Sequence, residues 1–541
     1  MPRLTINGQE VEVPQGTLLI EACARVTEKP PHFCYHPGLR PDGNCRMCMV
    51  KIEGMRGVSI SCTLPAAEGM VVSTEHPEVL AARRGVMEFL LIHHPLDCPV
   101  CDKAGECILQ DHSYDHGRGA SRYIEPKIVR PKRDLGPRIA LWPERCIRCS
   151  RCTRFLDEVT GTSELAFFER GDRTDLDIFP GRPIDNPLSL NIVDICPVGA
   201  LISKDFLFRA RVWNLRKKAS VCAACSRGCN VVLESYEGKL TRLVPRPNPH
   251  VNHHWMCDHG RLSHAYVHDP RRPRQIVKRE DARSFNVALP EALEAIRAGL
   301  EAVRAAHGAA AVGGLVTAWL TNEELHLAGR LLRDVLGARR LVALAAPPGE
   351  AYVAKSGFRI AADRNPNRAG LEAVLGLVPD DEAVRALAAD IETGAIRALL
   401  VLGGMPAPAY PEELVAVASR LELLVVQDLV PSALLDRAHI VLPAAAAPEK
   451  HGSFINDDGR VQRLEPLLVP PVPGGDLGIL GALLRALGDR PPGGGGAVGV
   501  FADLAARNER FQGLTFQELG DLGRPRRGAE DRPRPPHAAG E

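Results

Sequence analysis

The sequence predicts a multidomain protein with an α+β first half and an α/β second half. Three observations predict this: the length of 541 residues, the confinement of all sixteen cysteines to the stretch from Cys23 to Cys257, and an Ala/Leu/Val-rich texture after about residue 275. A chain of this length exceeds one hydrophobic core and should divide into domains of about 150 residues each. The cysteines separate a ligand-rich half from a cysteine-free half.

The chain is predicted to begin with a β-hairpin. Residues 4–6 and 10–13 are β-prone, and Asn7 and Gly8 between them suit a tight turn because both tolerate positive φ. A short helix at 17–26 and a cysteine-rich loop follow. Strand, strand, helix and cysteine loop is the opening order of a β-grasp ferredoxin.

The cysteines indicate metal ligation rather than disulfides. Dense disulfides are typical of small secreted domains. This chain is long, and its residues 1–14 carry no apolar export signal. Fifteen of the cysteines fall into four sets, numbered first to fourth along the chain: Cys34, Cys45, Cys48 and Cys62; Cys98, Cys101 and Cys107; Cys146, Cys149, Cys152 and Cys196; Cys222, Cys225, Cys229 and Cys257. Cys23 is left over, and its place in an apolar helix predicts a buried small side chain.

The spacing within the sets fits iron–sulfur clusters. A loop with one C-x₂-C pair and two distant cysteines, as in the first set, can wrap a binuclear 2Fe-2S cluster. The run Cys146, Cys149 and Cys152, answered by Cys196 before Pro197, is the pattern that holds a tetranuclear 4Fe-4S cluster. The fourth set is likewise a four-thiolate cage. Tetrahedral zinc remains the alternative for the first, second and fourth sets.

Five cations stand inside the ligand loops: Arg46, Lys103, Arg148, Arg151 and Arg227. A four-thiolate cluster is net negative, so these cations either stabilise the clusters or are solvated surface charges. The sequence leaves both interpretations open.

Two further patterns are interpreted as having no cofactor role. Gly494, Gly496 and Gly499 form a G-x-G-x-x-G that follows prolines and not a strand, so a linker is predicted rather than a nucleotide site. The histidines around Cys257 are interpreted as polar loop residues and not as a separate metal site. They are His250, His253, His254 and His259.

Helical and strand periodicities place the remaining elements. Residues 79–92 predict a helix with Val86, Phe89 and Leu90 on its apolar side, and the Pro- and Arg-rich residues 126–143 predict a linker. The second half predicts buried parallel strands with amphipathic helices between them: strands at 310–316, 396–402 and 421–427, and helices at 322–336 and 381–392. The Gly/Pro-rich region 491–541 is predicted to be flexible.

Residues 1–270 resemble the large iron–sulfur subunit of bacterial NADH–quinone oxidoreductase, respiratory complex I. The phrases that carry this resemblance are His36-Pro-Gly-Leu, Gly43-Asn-Cys-Arg-Met-Cys-Met-Val, His93-His-Pro-Leu-Asp-Cys-Pro-Val-Cys-Asp-Lys-Ala-Gly-Glu-Cys, Arg145-Cys-Ile-Arg-Cys-Ser-Arg-Cys-Thr-Arg-Phe and Val193-Asp-Ile-Cys-Pro-Val-Gly-Ala-Leu. Three later phrases resemble the molybdopterin-oxidoreductase fold more loosely: Val425-Val-Gln-Asp-Leu, Ala438-His-Ile-Val-Leu-Pro and Glu449-Lys-His-Gly-Ser-Phe-Ile-Asn-Asp-Asp-Gly-Arg-Val-Gln.

The resemblance implies the cofactors. His94 would complete the second set as a histidine ligand, giving one 2Fe-2S cluster on the first set and three 4Fe-4S clusters on the others. The fourth cluster resembles one that occurs in some lineages and lies off the main electron path. Formate dehydrogenases with the same second half bind molybdenum through a cysteine or selenocysteine. Because no cysteine follows Cys257 and the chain ends early, we expect a truncated fold without molybdopterin and without its own active site.

Spacing and resemblance together predict six regions. They are a β-grasp 2Fe-2S ferredoxin domain (1–78), a His-Cys₃ 4Fe-4S domain (79–125), a 4Fe-4S ferredoxin-like domain (126–215), a 4Fe-4S domain of molybdopterin-oxidoreductase type (216–275), an α/β molybdopterin-oxidoreductase-like domain (276–490) and a flexible Gly/Pro-rich tail (491–541).

The function implied by the resemblance is single-electron relay from a flavin-bearing partner toward quinone. The implied partners are the flavin- and NADH-binding subunit, a small 2Fe-2S subunit, and the quinone-reducing and ferredoxin-like subunits of a peripheral arm on the cytoplasmic side of the bacterial inner membrane. A net charge of +1 argues against nucleic-acid binding, and the apolar runs are too short to span a bilayer. The alternatives are the same module in a soluble NAD-linked hydrogenase or formate dehydrogenase complex, and a zinc-stabilised binding scaffold.

Overall fold

The computed structural model describes residues 1–280, 283–531 and 533. The chain forms two compact units. Among the described residues, unit 1 comprises Met1–Leu215 with Ala354–Phe358, and unit 2 comprises Arg216–Val353 and the residues from Arg359 to 533.

Unit 1 opens with a five-stranded sheet. Its strands are Arg3–Ile6 (β1), Gln9–Glu12 (β2), Met49–Ile52 (β3), Ser59–Ile60 (β4) and Val71–Ser73 (β5), in the order β2-β1-β5-β3-β4. The predicted hairpin is confirmed: β1 and β2 pair antiparallel, and Asn7 and Gly8 have φ of 48° and 79°. The predicted helix is shorter, Leu19–Cys23 (α1), and Cys23 is fully buried in the core of this sheet, as predicted.

The second helix, Pro77–Leu91 (α2), ends before His93-His94-Pro95 as predicted, but the apolar face predicted for it is wrong. Its buried residues are Val79, Arg83 and Met87, spaced four apart, whereas Phe89 is 78% exposed. The buried face of α2 is therefore formed by residues four apart, and it is not the face that Val86, Phe89 and Leu90 predicted. The next helix is Ile108–His116 (α3).

The remainder of unit 1 is built from small sheets. The elements are Arg133–Asp134 (β6), Ile139–Leu141 (β7), Arg151–Arg154 (α4), Leu165–Phe168 (β8), Asp175–Ile178 (β9), Asn191–Ile195 (α5) and Leu201–Ser203 (β10). The linker prediction for 126–143 is partly wrong, because β6 and β7 join β10 in one sheet. Ile139 and Leu141 are fully buried, a two-residue apolar signal that the surrounding Pro and Arg residues masked.

Unit 2 contains fifteen strands in its described residues. They are Arg216–Val221 (β11), Asn230–Tyr236 (β12), Lys239–Pro245 (β13), Ile276–Glu280 (β14), Arg283–Val287 (β15), Val312–Thr317 (β16), Arg340–Leu344 (β17), Tyr352–Val353 (β18), Arg359–Ile360 (β19), Ala398–Leu402 (β20), Leu423–Asp428 (β21), Ile440–Pro443 (β22), Gly452–Ile455 (β23), Arg460–Leu464 (β24) and Arg524–Pro525 (β25).

The helices of unit 2 surround these strands. They are Asp258–Leu262 (α6), Leu289–His307 (α7), Asn322–Gly329 (α8), Arg368–Leu375 (α9), Asp381–Glu392 (α10), Glu412–Val417 (α11), Gly475–Ala486 (α12) and Ala497–Arg507 (α13). A π-helical turn, Arg330–Val335, continues α8. The predicted helix at 381–392 is confirmed with the same bounds.

The centre of unit 2 is a seven-stranded sheet in the order β15-β14-β22-β21-β20-β16-β17. The three predicted strands correspond to β16, β20 and β21, which are fully buried and pair in parallel. Apolar clusters cover both faces of this sheet. The predicted α/β architecture of the second half is therefore confirmed.

The prediction of a flexible tail is wrong over most of its length. Val500, Phe501 and Leu504 of α13 are buried in the main core of unit 2, and β25 pairs with β24. Apolar spacing of i, i+1 and i+4 anchors a helix even where the flanking sequence is rich in Gly and Pro. Residues 532 and 534–541 lie outside the described residues.

The glycine pattern Gly494, Gly496 and Gly499 leads into α13, with Gly496 at its N-cap, and does not follow a strand. Within the described part of the chain, none of the helices has the length and apolarity that crossing a bilayer requires.

Candidate cysteine-lined metal centres

The first set lies in the loop between α1 and β3, with its last cysteine after β4. Cys34, Cys48 and Cys62 are buried and Cys45 is half-buried. Hydrogen bonding with the Cys45 and Cys62 thiols lowers the pKa of Cys34. A hydrogen bond from Cys62 likewise lowers the pKa of Cys48. Because the thiols hydrogen-bond one another, the four sulfurs converge.

Backbone geometry supports this convergence. The Phe33 amide donates to the Cys45 Sγ at 3.4 Å. Gly43 has φ of 69°, and a Cβ there would stand 2.8 Å from Ile60 Cδ1. The left-handed backbone at this position therefore favours glycine.

The second set is the most exposed of the four. Cys101 and Cys107 are buried, whereas Cys98 is exposed. His94, Cys98 and Cys107 line one cavity of about 560 Å³. Burial, with help from the Arg145 guanidinium, lowers the pKa of His94 to about 4, so its imidazole is neutral at pH 7. Neutral imidazole is the form that binds metals.

The third set is enclosed. Cys146, Cys149, Cys152 and Cys196 line one small cavity, with α4 carrying Cys152 and the end of α5 presenting Cys196. Burial, together with the neighbouring sulfurs, raises the pKa of Cys146 and Cys149 to about 12. The Arg148 amide donates to the Cys146 Sγ at 3.4 Å. Thiols in this environment become thiolates only when a bound cation compensates their charge.

The fourth set belongs to unit 2. Three of its cysteines lie in the loop between β11 and β12, and Cys257 caps α6 by accepting the Gly260 amide at 3.3 Å. All four are buried, and burial raises the pKa of Cys257 to about 11. A Cβ on Gly260 would come within 2.9 Å of the Cys222 Sγ. Glycine at this position therefore lets Cys222 and Cys257 approach each other.

Two of the five loop cations are buried and two are exposed. The Arg151 guanidinium donates to the carbonyl oxygens of Ile195 at 3.1 Å and Tyr35 at 2.5 Å, joining the third set to the first. Arg227 is 1% exposed and pairs with Asp457 and Asp458. Arg46 and Arg148 are exposed. Arg151 and Arg227 are therefore not solvated surface charges, whereas Arg46 and Arg148 are.

The arrangement fits the groups that the spacing predicts. Backbone N–H groups donate to the Sγ atoms of Cys45, Cys146 and Cys257, and donors of this kind tune iron–sulfur clusters. The histidines near Cys257 have other surroundings: His254 packs edge-on against Trp255, and His250 lies 3.2 Å from Asp531.

Five protein-family models match the chain. They describe the 2Fe-2S iron-sulfur cluster binding domain (residues 2–77), the NADH-ubiquinone oxidoreductase-G iron-sulfur binding region (83–122), the NADH-quinone oxidoreductase subunit 3 ferredoxin-like domain (136–202), the molybdopterin oxidoreductase Fe4S4 domain (215–269) and molybdopterin oxidoreductase (338–474). The predicted succession of 2Fe-2S ferredoxin, 4Fe-4S and molybdopterin-oxidoreductase-like folds is confirmed.

Curated relatives carry the same resemblance. The chain is 40% identical over 304 residues to the G subunit of NADH-quinone oxidoreductase from Rickettsia bellii, covering 56% of this chain and 44% of the relative. It is also 40% identical over 316 residues to the corresponding NADH-quinone oxidoreductase chain of Streptomyces coelicolor, covering 58% and 38%. The match thus spans less than half the length of these relatives.

A solved structure of an NAD⁺-reducing [NiFe]-hydrogenase is 31% identical to this chain. The match covers 39% of this chain and 91% of that one, with a TM-score of 0.36. No likeness of fold follows at that TM-score.

Proposed function

We propose that this chain is the iron–sulfur electron-transfer subunit of an NADH–quinone oxidoreductase. It relays single electrons from a flavin-bearing partner toward quinone. The observation that carries the proposal is that each of the four ligand sets lies in a segment matched by an iron–sulfur family model. When bound, the clusters supply one-electron redox chemistry, whereas NADH gives up two electrons as a hydride, so a flavin must stand between them.

The proposed ligands are those of the four sets with His94 included. The first set would hold one 2Fe-2S cluster, and the second, third and fourth sets would each hold a 4Fe-4S cluster. This chain's residues bind the clusters, shield them from water and place cations such as Arg151 beside them. Molybdopterin is not part of the proposal, because no cysteine of unit 2 lies outside the fourth set.

The proposed domains keep the predicted boundaries from 1–78 to 216–275, and the α/β domain begins at 276 and extends beyond 490 to include α13. The α/β domain of unit 2 serves as a scaffold and supplies no catalytic residue. The proposed partners are the flavin- and NADH-binding subunit, a small 2Fe-2S subunit, and the quinone-reducing and ferredoxin-like subunits. The complex would sit on the cytoplasmic side of the inner membrane, which this chain contacts only through its partners.

Exposed apolar side chains near the second set support partner docking there. Leu96 is 86% exposed and Tyr114 is 85% exposed, and both line the cavity that contains His94 and Cys98. A monomeric surface seldom leaves large apolar groups clustered in water without a partner to cover them. Electrons would enter or leave through this side of unit 1.

Co-purification tests the proposal. The tagged chain, expressed in its own cells and isolated anaerobically from membranes, should bring down a flavoprotein and membrane subunits and should support NADH oxidation by a quinone. Recovery with a hydrogenase or a molybdenum subunit instead would assign the chain to the rival soluble complexes. Recovery of zinc-loaded chain without redox partners would favour the binding scaffold.

A further inference from the structure

Three side chains of the ligand type lie together on α3, outside the four sets. His112, Asp115 and His116 occupy positions i, i+3 and i+4 of the helix and therefore share one face. One ligand atom from each lies within 4.8 Å of the other two. The group contains no cysteine, so it is chemically distinct from the sites for iron–sulfur clusters.

One member of the group has an unsatisfied polar atom. The His112 Nδ1 is buried and has no hydrogen-bond partner among the described residues. Its ring packs edge-on against Phe33, with centroids 5.2 Å apart, and lies 5.7 Å from the His116 ring. A buried ring nitrogen without a partner costs free energy, and a metal ion is one of the groups that can satisfy it.

The electrostatics keep both imidazoles in the ligand form. Burial lowers the pKa of His112 to about 4 and also lowers the pKa of His116, and the Arg83 guanidinium contributes to both shifts. Arg83 is itself engaged, donating to the Met49 carbonyl at 2.8 Å. Asp115 is exposed, so it supplies a negative charge and leaves one side of the group open to solvent.

We propose that His112, Asp115 and His116 form a binding site for a divalent metal ion of the zinc class. Two imidazoles and a carboxylate with an open fourth position are a ligand set that Zn²⁺ accepts, whereas Mg²⁺ and Ca²⁺ prefer oxygen ligands alone. Metal–ligand bonds of about 2.1 Å place tetrahedral ligand atoms about 3.4 Å apart. Side-chain rotations that move these atoms by about 1 Å close the group to that spacing.

The site has a structural consequence for unit 1. The helix α3 begins immediately after Cys107 and ends at His116, so a metal bound at its last turn fixes the end opposite the second set. A ligand that binds only the folded state stabilises it, and the effect grows with the logarithm of its concentration above the dissociation constant. Zinc should therefore slow local opening of α3.

Zinc counting on matched variants tests the site. Anaerobically purified, cluster-loaded full chain is dialysed against micromolar Zn²⁺ and analysed for zinc, iron and sulfide. One zinc per chain is expected, with iron and sulfide unchanged. Asp115→Asn and His116→Ala should each weaken zinc binding at least tenfold. Asp111→Asn removes the same charge from the same helix outside the group and should leave binding intact.

Several results would overturn the proposal: the absence of bound zinc, zinc retained in both ligand variants, zinc lost equally in Asp111→Asn, or zinc bound at the expense of iron. Hydrogen exchange gives an independent measurement. Zinc should slow amide exchange in 108–116 of the unaltered chain and of Asp111→Asn, but not of Asp115→Asn, and Mg²⁺ at the same concentration should have no effect. Equal slowing by Mg²⁺ would also contradict a zinc-class site.

Discussion

Units 1 and 2 reach order by different routes. Unit 1 distributes three ligand sets among sheets of five, three and two strands, and the apolar core of its first sheet is small. Unit 2 buries a seven-stranded sheet between two large apolar clusters and carries one set near its start. Burial of apolar surface can hold unit 2 together, whereas unit 1, on the proposed function, would gain much of its order from bound clusters. We therefore expect unit 1 to depend on its ligands for stability and unit 2 to depend on its apolar core.

The largest effect is expected from removing a ligand in unit 1. Cys149→Ala should lose about four iron atoms per chain, abolish electron transfer through the third set and increase hydrogen exchange across 136–202. Unit 2 should exchange as before. Cys23→Ala is the matched control, because Cys23 is also buried but belongs to no set. Equal iron loss in both variants would remove the distinction between ligand and core cysteines.

Destabilising unit 2 without touching a ligand should leave the iron in the first three sets unchanged. Lys450 is buried and its Nζ lies 2.6 Å from Glu324 and 2.5 Å from Asp476, which are also buried. Lys450→Met leaves two carboxylates unpaired and should destabilise unit 2 by about 3–5 kcal/mol, measured by hydrogen exchange of the central strands. Lys278→Met, at a partly exposed ion pair, should have little effect. Loss of iron from unit 1 in the Lys450 variant would contradict the separation of the units.

The next largest effect is expected from removing Arg151, the buried cation in the loop of the third set. Arg151→Ala removes two buried hydrogen bonds from a charged donor, each worth about 1.5–3 kcal/mol. We expect faster exchange in the loops of the first and third sets and faster loss of their iron in mild denaturant. Arg148→Ala, three residues earlier and exposed, should match the unaltered chain. Identical behaviour of the two variants would show that the buried hydrogen bonds of Arg151 do not stabilise the two loops.

The smallest expected effect is a pH dependence of the stability of unit 2. Burial raises the pKa of Glu323 from 4.5 to about 7, although the Ser453 hydroxyl and amide donate to its carboxylate. Because the folded pKa exceeds the unfolded one, this group's contribution to stability is complete below about pH 4.5 and is lost as the pH rises through 7. Between about pH 6 and 7 the free energy of unfolding should fall by up to about 1.4 kcal/mol.

Glu323→Gln should flatten that slope. The measurement is hydrogen exchange of α8 and β16 at several pH values, corrected for the intrinsic exchange rate. An unchanged slope in the variant would assign the pH dependence to another buried group, and a slope of opposite sign would contradict the direction of the pKa shift.

The grouping of the cysteines into four sets stays a prediction, although all four sulfurs of the third set line one cavity. Packing was predicted less well. The buried side of α2 depends on which neighbours pack against it, and Phe89 pointed to the wrong face. The helix α13 was missed because its Gly-rich flank dominated the composition, although Val500, Phe501 and Leu504 carried the helical signal.

Two features of the sites also escaped the sequence. Whether Arg151 is buried depends on carbonyl groups of Tyr35 and Ile195, which are distant along the chain. His112, Asp115 and His116 do show helical spacing in the sequence, but the burial of the His112 ring by Phe33 is a tertiary contact. Long-range contacts of this kind leave no trace in the periodicity.

The central claim is that four ligand sets hold four redox-active clusters, and stepwise reduction tests it most directly. Anaerobically purified chain should contain about 14 iron atoms, from one 2Fe-2S and three 4Fe-4S clusters. Electron paramagnetic resonance during the titration should resolve four reducible centres. Colourless protein that carries zinc and shows no paramagnetic signal on reduction would contradict the claim.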